Sequence, residues 1–354
     1  MNAMYDLGDL WLFLTGKLGE LLAWLGVPFA GVVAFVIEKS VYAGALLVFI
    51  SLTALWMIWM ERKVSAHMQL RYGPMWTGGW HGWSQTIADM IKLLLKEDVI
   101  PEKADRWVHR LAPIVIFVPS LIGFLVIPFE KNLIGADLDV GILLIFGFSS
   151  IAVLSIFMGG WSSNNKYSLM GGLRSAAQMV SYEIPLVLSV LGVIMTVGSL
   201  KMSEIVNAQA GGWFLFSPHL FGFILYIVAG TAEVNRTPFD IPEAESELVS
   251  GYNTEYSGLK YGFFMLSEFT NTFIISAVAA TFFMGGWLAP KWLPLPGIVV
   301  FLLKTYLIVY LLMWFRWTFP RLRVDRLMDF GWKVLLPLSF LNIFIAGIWV
   351  LLKK

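Results

Sequence analysis

Long apolar runs separated by polar connections make up most of this chain. Eight of the runs reach the roughly 20 residues that an α-helix needs to cross the hydrocarbon core of a bilayer. The first begins nearer Val27 if it is long and tilted. The pattern therefore predicts an all-α polytopic membrane protein, a bundle of about eight transmembrane helices. We place the spans at 40–60, 111–129, 140–161, 174–199, 218–236, 257–287, 297–319 and 331–352.

Two shorter segments are amphipathic and are expected to add surface helices. Residues 7–25 repeat leucine at helical spacing and keep their charged residues off that face, as in a helix lying in the membrane interface. Residues 84–96 place five apolar side chains on one face and Asp89 away from it. This second helix is either a surface element or one wall of an apolar cavity at the membrane rim. We expect an N-terminal extension, 1–39, and an eight-helix membrane domain, 40–354.

The charges between the spans predict which way the bundle faces. The connection after the first span carries eight Lys and Arg residues and the one after the seventh carries three, whereas Lys131, Lys201 and Lys291 stand alone in the second, fourth and sixth. Because cytoplasmic loops are enriched in Lys and Arg, we expect the odd-numbered connections in the cytoplasm and the N-terminus outside. The N-terminal residues lack a basic leader and a small-residue cleavage site, so no cleaved signal peptide is expected.

Composition supports the membrane assignment and limits the chemistry. The chain is 58% hydrophobic and 14% charged, with a mean hydropathy of +0.74, whereas soluble domains carry about 25% charged residues. Its net charge of +1 gives no sign of nucleic-acid binding. The absence of cysteine excludes cysteine-ligated iron–sulfur clusters within this chain. Since its four histidines never pair at i, i+4 on one span, we expect no bis-histidine haem and no zinc site. If redox chemistry takes place here, its electrons must come from another subunit.

Acidic residues are concentrated at 230–260, between two almost wholly apolar stretches. A capping box explains part of this cluster: Asp240 precedes a possible short helix and Glu243 stands three residues later. It does not explain Glu247, which repels Glu243 across one helical turn, or Glu245 on another face. Proton handling explains these carboxylates better, and their titrations are expected to be coupled. The acidic residues of the segment are Glu233, Asp240, Glu243, Glu245, Glu247 and Glu255.

Three of the glutamates fall within or at the end of predicted spans. Glu183 and Glu268 lie near the middle of spans four and six, and Glu233 lies near the end of span five. An acidic side chain at a bilayer centre costs at least ~2.5–3.5 kcal/mol, so we expect all three to face the protein interior. They either form structural hydrogen bonds and ion pairs, or relay protons. The candidate cationic partners are Lys260, Lys304 and Arg174.

Four stretches together resemble one known family. Alone, Glu61-Arg62-Lys63 indicates a surface anchor, and the segment that begins at Arg71 indicates a turn. Together the stretches resemble the membrane subunit of proton-pumping NADH:quinone oxidoreductases, called H in bacteria and subunit 1 in mitochondria, from about residue 58 to the C-terminus. They read MERKVSAHMQLRYGP (60–74), QTIADMIKLLLKEDVIP (85–101), GGWSSNNKYSLMGGLRSAAQMVSYEIP (159–185) and AEVNRTPFDIPEAESELVSGYNTEYSG (232–258).

The resemblance implies a heel-shaped bundle of eight helices that docks onto a peripheral electron-carrying arm and builds most of a quinone chamber. By this likeness the chamber residues are Glu61, Arg62, Arg71, Asp89, Arg236 and Tyr256. The proton path comprises Glu183, Glu233, Glu268, Asp240, Glu243, Glu245, Glu247 and Glu255. The expected substrate is ubiquinone or menaquinone, with no prosthetic group in this chain. The expected partners are peripheral iron–sulfur and quinone-site subunits and the small and antiporter-like membrane subunits, in a bacterial plasma membrane.

The N-terminus departs from the family, whose members usually reach the Glu-Arg-Lys motif after a shorter lead. Two alternatives stay open at this point. The equivalent subunit of a membrane-bound hydrogenase or formate hydrogenlyase shares the architecture, although its acidic loop usually keeps less of this pattern. A stand-alone cation/proton antiporter suits the intramembrane glutamates but explains neither the acidic loop nor the long basic connection.

Overall fold

The computed structural model describes residues 30–242, 245–290 and 295–353, together with Lys17. The surface helix predicted at 7–25 therefore lies outside the described residues apart from that lysine. The described residues form helices and connections, without a β-strand. The α-helices are α1 Ala30–Met68, α2 Gln85–Leu95, α3 Arg106–Val126, α4 Gly141–Ser162, α5 Lys166–Val197, α6 Met202–Asn207, α7 Leu220–Glu233, α8 Glu245–Leu248, α9 Gly258–Phe283, α10 Gly297–Thr318, α11 Val324–Asp329 and α12 Leu336–Lys353.

Each of the eight predicted spans corresponds to a helix, which confirms the all-α polytopic bundle. Seven helices in the described chain are long and apolar enough to cross a membrane, where α11 and α12 count as one because the wide π-turn Phe330–Leu335 joins them. The eighth, α7, has 14 residues and is about 21 Å long. We use "loop end" for the end of the bundle where α1, α4, α7 and α10 finish and α3, α5 and α9 start.

Two helices are longer than the hydropathy pattern predicted, and both gain residues at the loop end. Helix α1 continues to Met68, beyond the predicted limit at residue 60. Helix α5 begins at Lys166 rather than at residue 174, because the Asn165 side chain caps it by accepting a 2.9 Å hydrogen bond from the Tyr167 backbone N–H. Polar side chains with defined partners therefore extend these helices past their apolar runs.

Glycines allow the helices at the loop end to approach closely. A Cβ atom on Gly172 of α5 would lie 3.2 Å from the Cα of Gly160 in α4. One on Gly171 would lie only 2.7 Å from the Cα of Gly251, in the connection between α7 and α9. Small residues at helix crossings are typical of membrane bundles, where close backbone packing drives association. The acidic segment is thereby held against the start of α5.

Helix α2 matches the predicted amphipathic helix at 84–96, with observed ends at Gln85 and Leu95. Much of its apolar face is exposed within this chain, including Met90, Ile91 and Leu94. Helix α9, in contrast, is buried along most of its length. The core of the bundle therefore lies around α9, and α2 lies at its rim.

Candidate functional site

Four charged side chains from four separate segments, two of them buried and two half-buried, meet at the loop end. Glu61 of α1 accepts from the Nη1 atoms of both Arg236, at 2.7 Å, and Arg316 of α10, at 2.5 Å. The other terminal nitrogen of Arg236 lies 3.0 Å from a carboxylate oxygen of Glu268 in α9. The Arg236 guanidinium also lies over the ring of Phe269, 4.7 Å from its centroid. We call Glu61, Arg236, Glu268 and Arg316 the charge cluster.

The charge cluster balances two carboxylates against two guanidinium groups. Each member compensates another, which matters because an unpaired charge taken out of water is costly. Sequence reasoning missed Arg316, although a cation near the end of an apolar span is itself a signal of buried pairing. It also named Arg174, Lys260 and Lys304 as candidate partners of the intramembrane glutamates.

Those three expected pairings are wrong. Arg174 pairs with Glu247 at 2.6 Å, and Lys260 pairs with Asp98 at 2.8 Å. The Lys304 ammonium donates to three backbone carbonyl oxygens at 2.7–2.8 Å, beyond the end of α9. Each cation therefore has a nearer partner than the glutamates, which hydropathy alone does not reveal.

Glu233 and Glu183 continue from the charge cluster into the bundle. Glu233 is buried at the end of α7, and its Oε2 atom has no hydrogen-bond partner among the described residues. Glu183, on α5, accepts from the Ser150 hydroxyl and is close enough to Glu233 for the two carboxylates to interact electrostatically. Ser150 is exposed on the outer surface of the bundle. Sequence reasoning did not identify this serine.

Two small cavities meet at Glu233, and one of them also reaches Glu268. One of about 20 Å³ is lined by Glu268, Glu233 and Asn271, and one of about 40 Å³ is lined by Glu233 and Asn271 again. A cavity needs about 10–15 Å³ by this measure to hold a water molecule, so each has room for one or more. We call Glu268, Glu233 and Glu183 the acidic row. The structure brings these three predicted residues together.

Asp240 does not cap a helix, contrary to prediction. Residues 241 and 242 are not helical, and the Asp240 carboxylate instead lies 3.1 Å from Nη2 of Arg321. The backbone nearby is held by Gln178 of α5, whose amide donates to the carbonyl oxygens of Ala232 and Phe239. Tertiary pairing therefore replaces the local cap.

Of the other carboxylates of the acidic segment, the structure describes two, and these have different partners. Glu243 and the side chain of Glu245 lie outside the described residues. Glu247 is exposed, and its ion pair with Arg174 lowers the pKa of the Glu247 carboxyl. Glu255 accepts a 2.6 Å hydrogen bond from Asn165 at the start of α5. The coupled titration predicted for Glu243, Glu245 and Glu247 stays a prediction.

The remaining predicted chamber residues lie in different surroundings. Arg62 pairs with Asp89 at 2.5 Å and so joins α1 to α2. Tyr256 is buried and stacked on His109, and burial raises the pKa of its hydroxyl to about 12. Arg71 is exposed, and its Nε donates to Gln69. The structure thus places Arg62 and Asp89 beside the charge cluster's Glu61 and leaves Arg71 at the surface of this chain.

No three His, Asp or Glu side chains converge as metal ligands in the described part of the chain. The carboxylates that meet at the loop end are paired with guanidinium groups, and the buried Glu233 carboxylate lies beyond them. Such groups can hold, exchange and pass protons when a neighbouring charge changes.

Comparison with known proteins assigns these features to one family. The family model for NADH dehydrogenase matches residues 41–347. The chain is 52% identical over 289 residues to the H subunit of NADH-quinone oxidoreductase from Bacillus mycoides (strain KBAB4), a match that covers 81% of this chain and 86% of the relative. The H subunits of Bacillus thuringiensis (strain Al Hakam) and Bacillus cereus (strain AH187) match equally, at 52% identity over the same coverage. These matches do not favour the hydrogenase or antiporter alternatives.

Proposed function

Because the chain belongs to the family of the H subunit of NADH-quinone oxidoreductase, we propose that its charge cluster and acidic row couple the reduction of quinone to the movement of protons. The chain is a multi-pass membrane subunit of that enzyme complex, and its bacterial relatives indicate the plasma membrane. The observation that carries the proposal is the pair of cavities sharing Glu233. The smaller cavity joins Glu233 to Glu268 of the charge cluster, and Glu233 lies close enough to Glu183 for their carboxylates to interact.

The quinone chamber lies between the rim helix α2 and the charge cluster. The apolar side chains of α2 that this chain leaves exposed, such as Ile91 and Leu94, suit the hydrocarbon tail of a quinone. Arg62 and Asp89 fix α2 against α1 and place polar groups towards the quinone headgroup. Arg71, at the surface, belongs to the mouth of the chamber, and the quinone-site subunit of the peripheral arm completes its walls.

Reduction of one quinone to quinol consumes two electrons and two protons, and this chain responds to the charge that the electrons bring. Negative charge beside Arg236 weakens its hold on Glu61 and Glu268, which then bind protons more readily. This change in protonation passes from Glu268 to Glu233 and on to Glu183, by electrostatic repulsion between the carboxylates and by proton transfer through cavity water. Glu183 lies near the exposed Ser150, and from there the change in protonation reaches the neighbouring membrane subunits.

The surroundings of the chain follow from the same proposal. The loop end faces the cytoplasm and the N-terminus lies outside, since the connections rich in Lys and Arg join helices at the loop end. The electrons come from an iron–sulfur subunit docked at that end, because this chain has no cysteine to ligate a cluster. Residues 1–39 form an extension of the membrane domain 40–354, and α1 passes this boundary without a break.

Conversion of Glu233 to Gln tests the coupling, because it removes the titratable group that both cavities share. In membranes containing the intact complex, Glu233→Gln should slow NADH-driven quinone reduction and lower the number of protons moved per electron. Glu183→Gln should have the same effect. Glu204→Gln, at an exposed site far from the loop end, is the matched control and should behave as the native protein. Native rate and native ratio in both row variants would remove the acidic row from the proton path.

A further inference from the structure

His109 is a buried ionisable group to which the proposed function assigns no role. It lies in the first turn of α3 with no exposed surface. Neither ring nitrogen has a hydrogen-bond partner of good geometry among the described residues. An imidazole always carries at least one N–H, and a buried unpaired donor costs about 1–3 kcal/mol. A group kept at that cost calls for a functional explanation.

The imidazole lies one side chain away from a water-accessible groove. Its ring stacks on Tyr256, with centroids 4.1 Å apart and planes 12° from parallel. The Tyr256 hydroxyl lies 3.3 Å from Oγ of Ser162. Ser162 in turn lines an open groove of about 490 Å³ at the loop end, together with Lys103 and Asn165. Tyr256 therefore lies between the buried ring and the serine that lines the groove.

Charges of both signs surround the ring. Glu255, on the segment before α9, Asp98, after α2, and Lys260, in the first turn of α9, all act on it electrostatically. The Glu255 backbone acts on the ring as well, without the geometry of a full hydrogen bond. Asp98 and Lys260 pair with each other at 2.8 Å, and the Glu255 carboxylate is held by Asn165. No well-formed hydrogen bond therefore fixes either the charged or the neutral ring, which suits a group that exchanges protons.

On its inner side, the imidazole is separated from the acidic row by a thin apolar layer. Tyr256, Phe264 and Ile116 belong to one buried cluster. Phe264 and Ile116 also line the 20 Å³ cavity that Glu233 and Glu268 share. Phe264 thus contacts Tyr256 with its ring, 4.8 Å between centroids, and also borders the cavity of the two acids.

We propose that His109 and Tyr256 form an entrance through which protons from the loop-end water reach the acidic row without passing through the quinone chamber. A proton from groove water moves along the hydroxyls of Ser162 and Tyr256 to one ring nitrogen, each hydroxyl gaining one proton as it gives one up. The other ring nitrogen releases a proton to water on the cavity side, so the ring returns to its neutral form. No electron moves in this step. Transient wetting of the layer around Phe264 completes the route. This entrance rests on the proposed function, since it feeds the same row.

The test uses the intact complex in sealed membrane vesicles. His109→Phe keeps an aromatic ring against Tyr256 but cannot carry a proton, so the ratio of protons moved to electrons transferred should fall. The loss should grow as the pH rises, because protons become scarcer. His67→Phe, at an exposed histidine of α1, is the matched control and should keep the native ratio. A variant that only assembles poorly would lower both rates together, and a native ratio with a native pH profile in His109→Phe would overturn the entrance.

Chemical rescue separates proton transfer from packing. In His109→Ala the ratio of protons moved to electrons transferred should fall as far as in His109→Phe. Added imidazole should restore this ratio. Pyrrole has the same ring size but no second nitrogen that accepts a proton, so it should not. Equal rescue by pyrrole would show a structural role and overturn the proposal. If Glu233→Gln itself leaves the ratio unchanged, the proposed function fails; if that variant lowers the ratio and the His109 variants do not, only the entrance is wrong.

Discussion

The guanidinium of Arg236 lies 2.7 Å from the carboxylate of Glu61, although 175 residues separate them in the chain. The same guanidinium reaches Glu268 on its other side. One arginine therefore joins α1 to α9, the rim of the bundle to its core. The positive charge of Arg236, shared between two carboxylates, therefore lies where the proposed chamber meets the acidic row.

Arg236→Met should destabilise the subunit, because it leaves two carboxylates without their shared cation. Breaking a buried pair in this way costs about 3–5 kcal/mol. Thermal unfolding of the purified complex, with quinone reduction measured in parallel, provides the readout. Arg323→Met is the matched control, since Arg323 is 85% exposed and pairs with the equally exposed Asp325. Equal melting temperatures for the two variants would contradict a structural role for the charge cluster.

Gly171→Ala should loosen the acidic segment. The added Cβ would lie 2.7 Å from the Cα of Gly251, so backbone must move, and overpacking typically costs about 1–3 kcal/mol. Quinone reduction should fall with stability, since the segment carries Tyr256 and Glu255. Gly147→Ala has no atom within 4 Å of its new Cβ and should be neutral in the same assay. A harmless Gly171→Ala would mean that the segment is not held where the structure places it.

Exchange of the charges of Arg62 and Asp89 tests how α2 is attached. Arg62→Asp replaces the 2.5 Å ion pair with two carboxylates that repel each other, and it should raise the KM for quinone more than it lowers kcat. The double variant Arg62→Asp/Asp89→Arg restores opposite charges and should recover part of the loss. A double variant as poor as the single one would show that the pair does more than position α2.

Glu247 and Arg174 provide a pH-dependent attachment of the acidic segment to α5. Their pairing lowers the pKa of Glu247 below its usual 4.5. A carboxyl with a lowered pKa contributes stability above its unfolded-state pKa, and that contribution is lost as the pH falls through the lower folded-state value. Proteolysis of the segment in membranes should therefore be faster in Arg174→Gln than in the native protein near neutral pH. The two rates should converge once Glu247 is protonated, and a constant difference at acid pH would assign the effect to another contact of Arg174.

Hydropathy was sufficient to predict the eight helices, because bilayer thickness imposes a minimum apolar length that is visible in any window of the chain. The same local reasoning predicted α2 and identified Glu183, Glu233 and Glu268 as unusual. It placed the start of α5 wrongly, since the cap at Asn165 is a polar signal that hydropathy ignores.

Pairing could not be predicted in this way. Glu61 and Arg316 are 255 residues apart, and Arg174, Lys260 and Lys304 each found a partner other than the one expected. Electrostatic energy depends on distance in space and on the loss of water around each charge, and both are set by how the helices pack. The number and type of helices are therefore properties of consecutive residues. The charge cluster, the acidic row and the burial of His109 exist only once distant segments have come together.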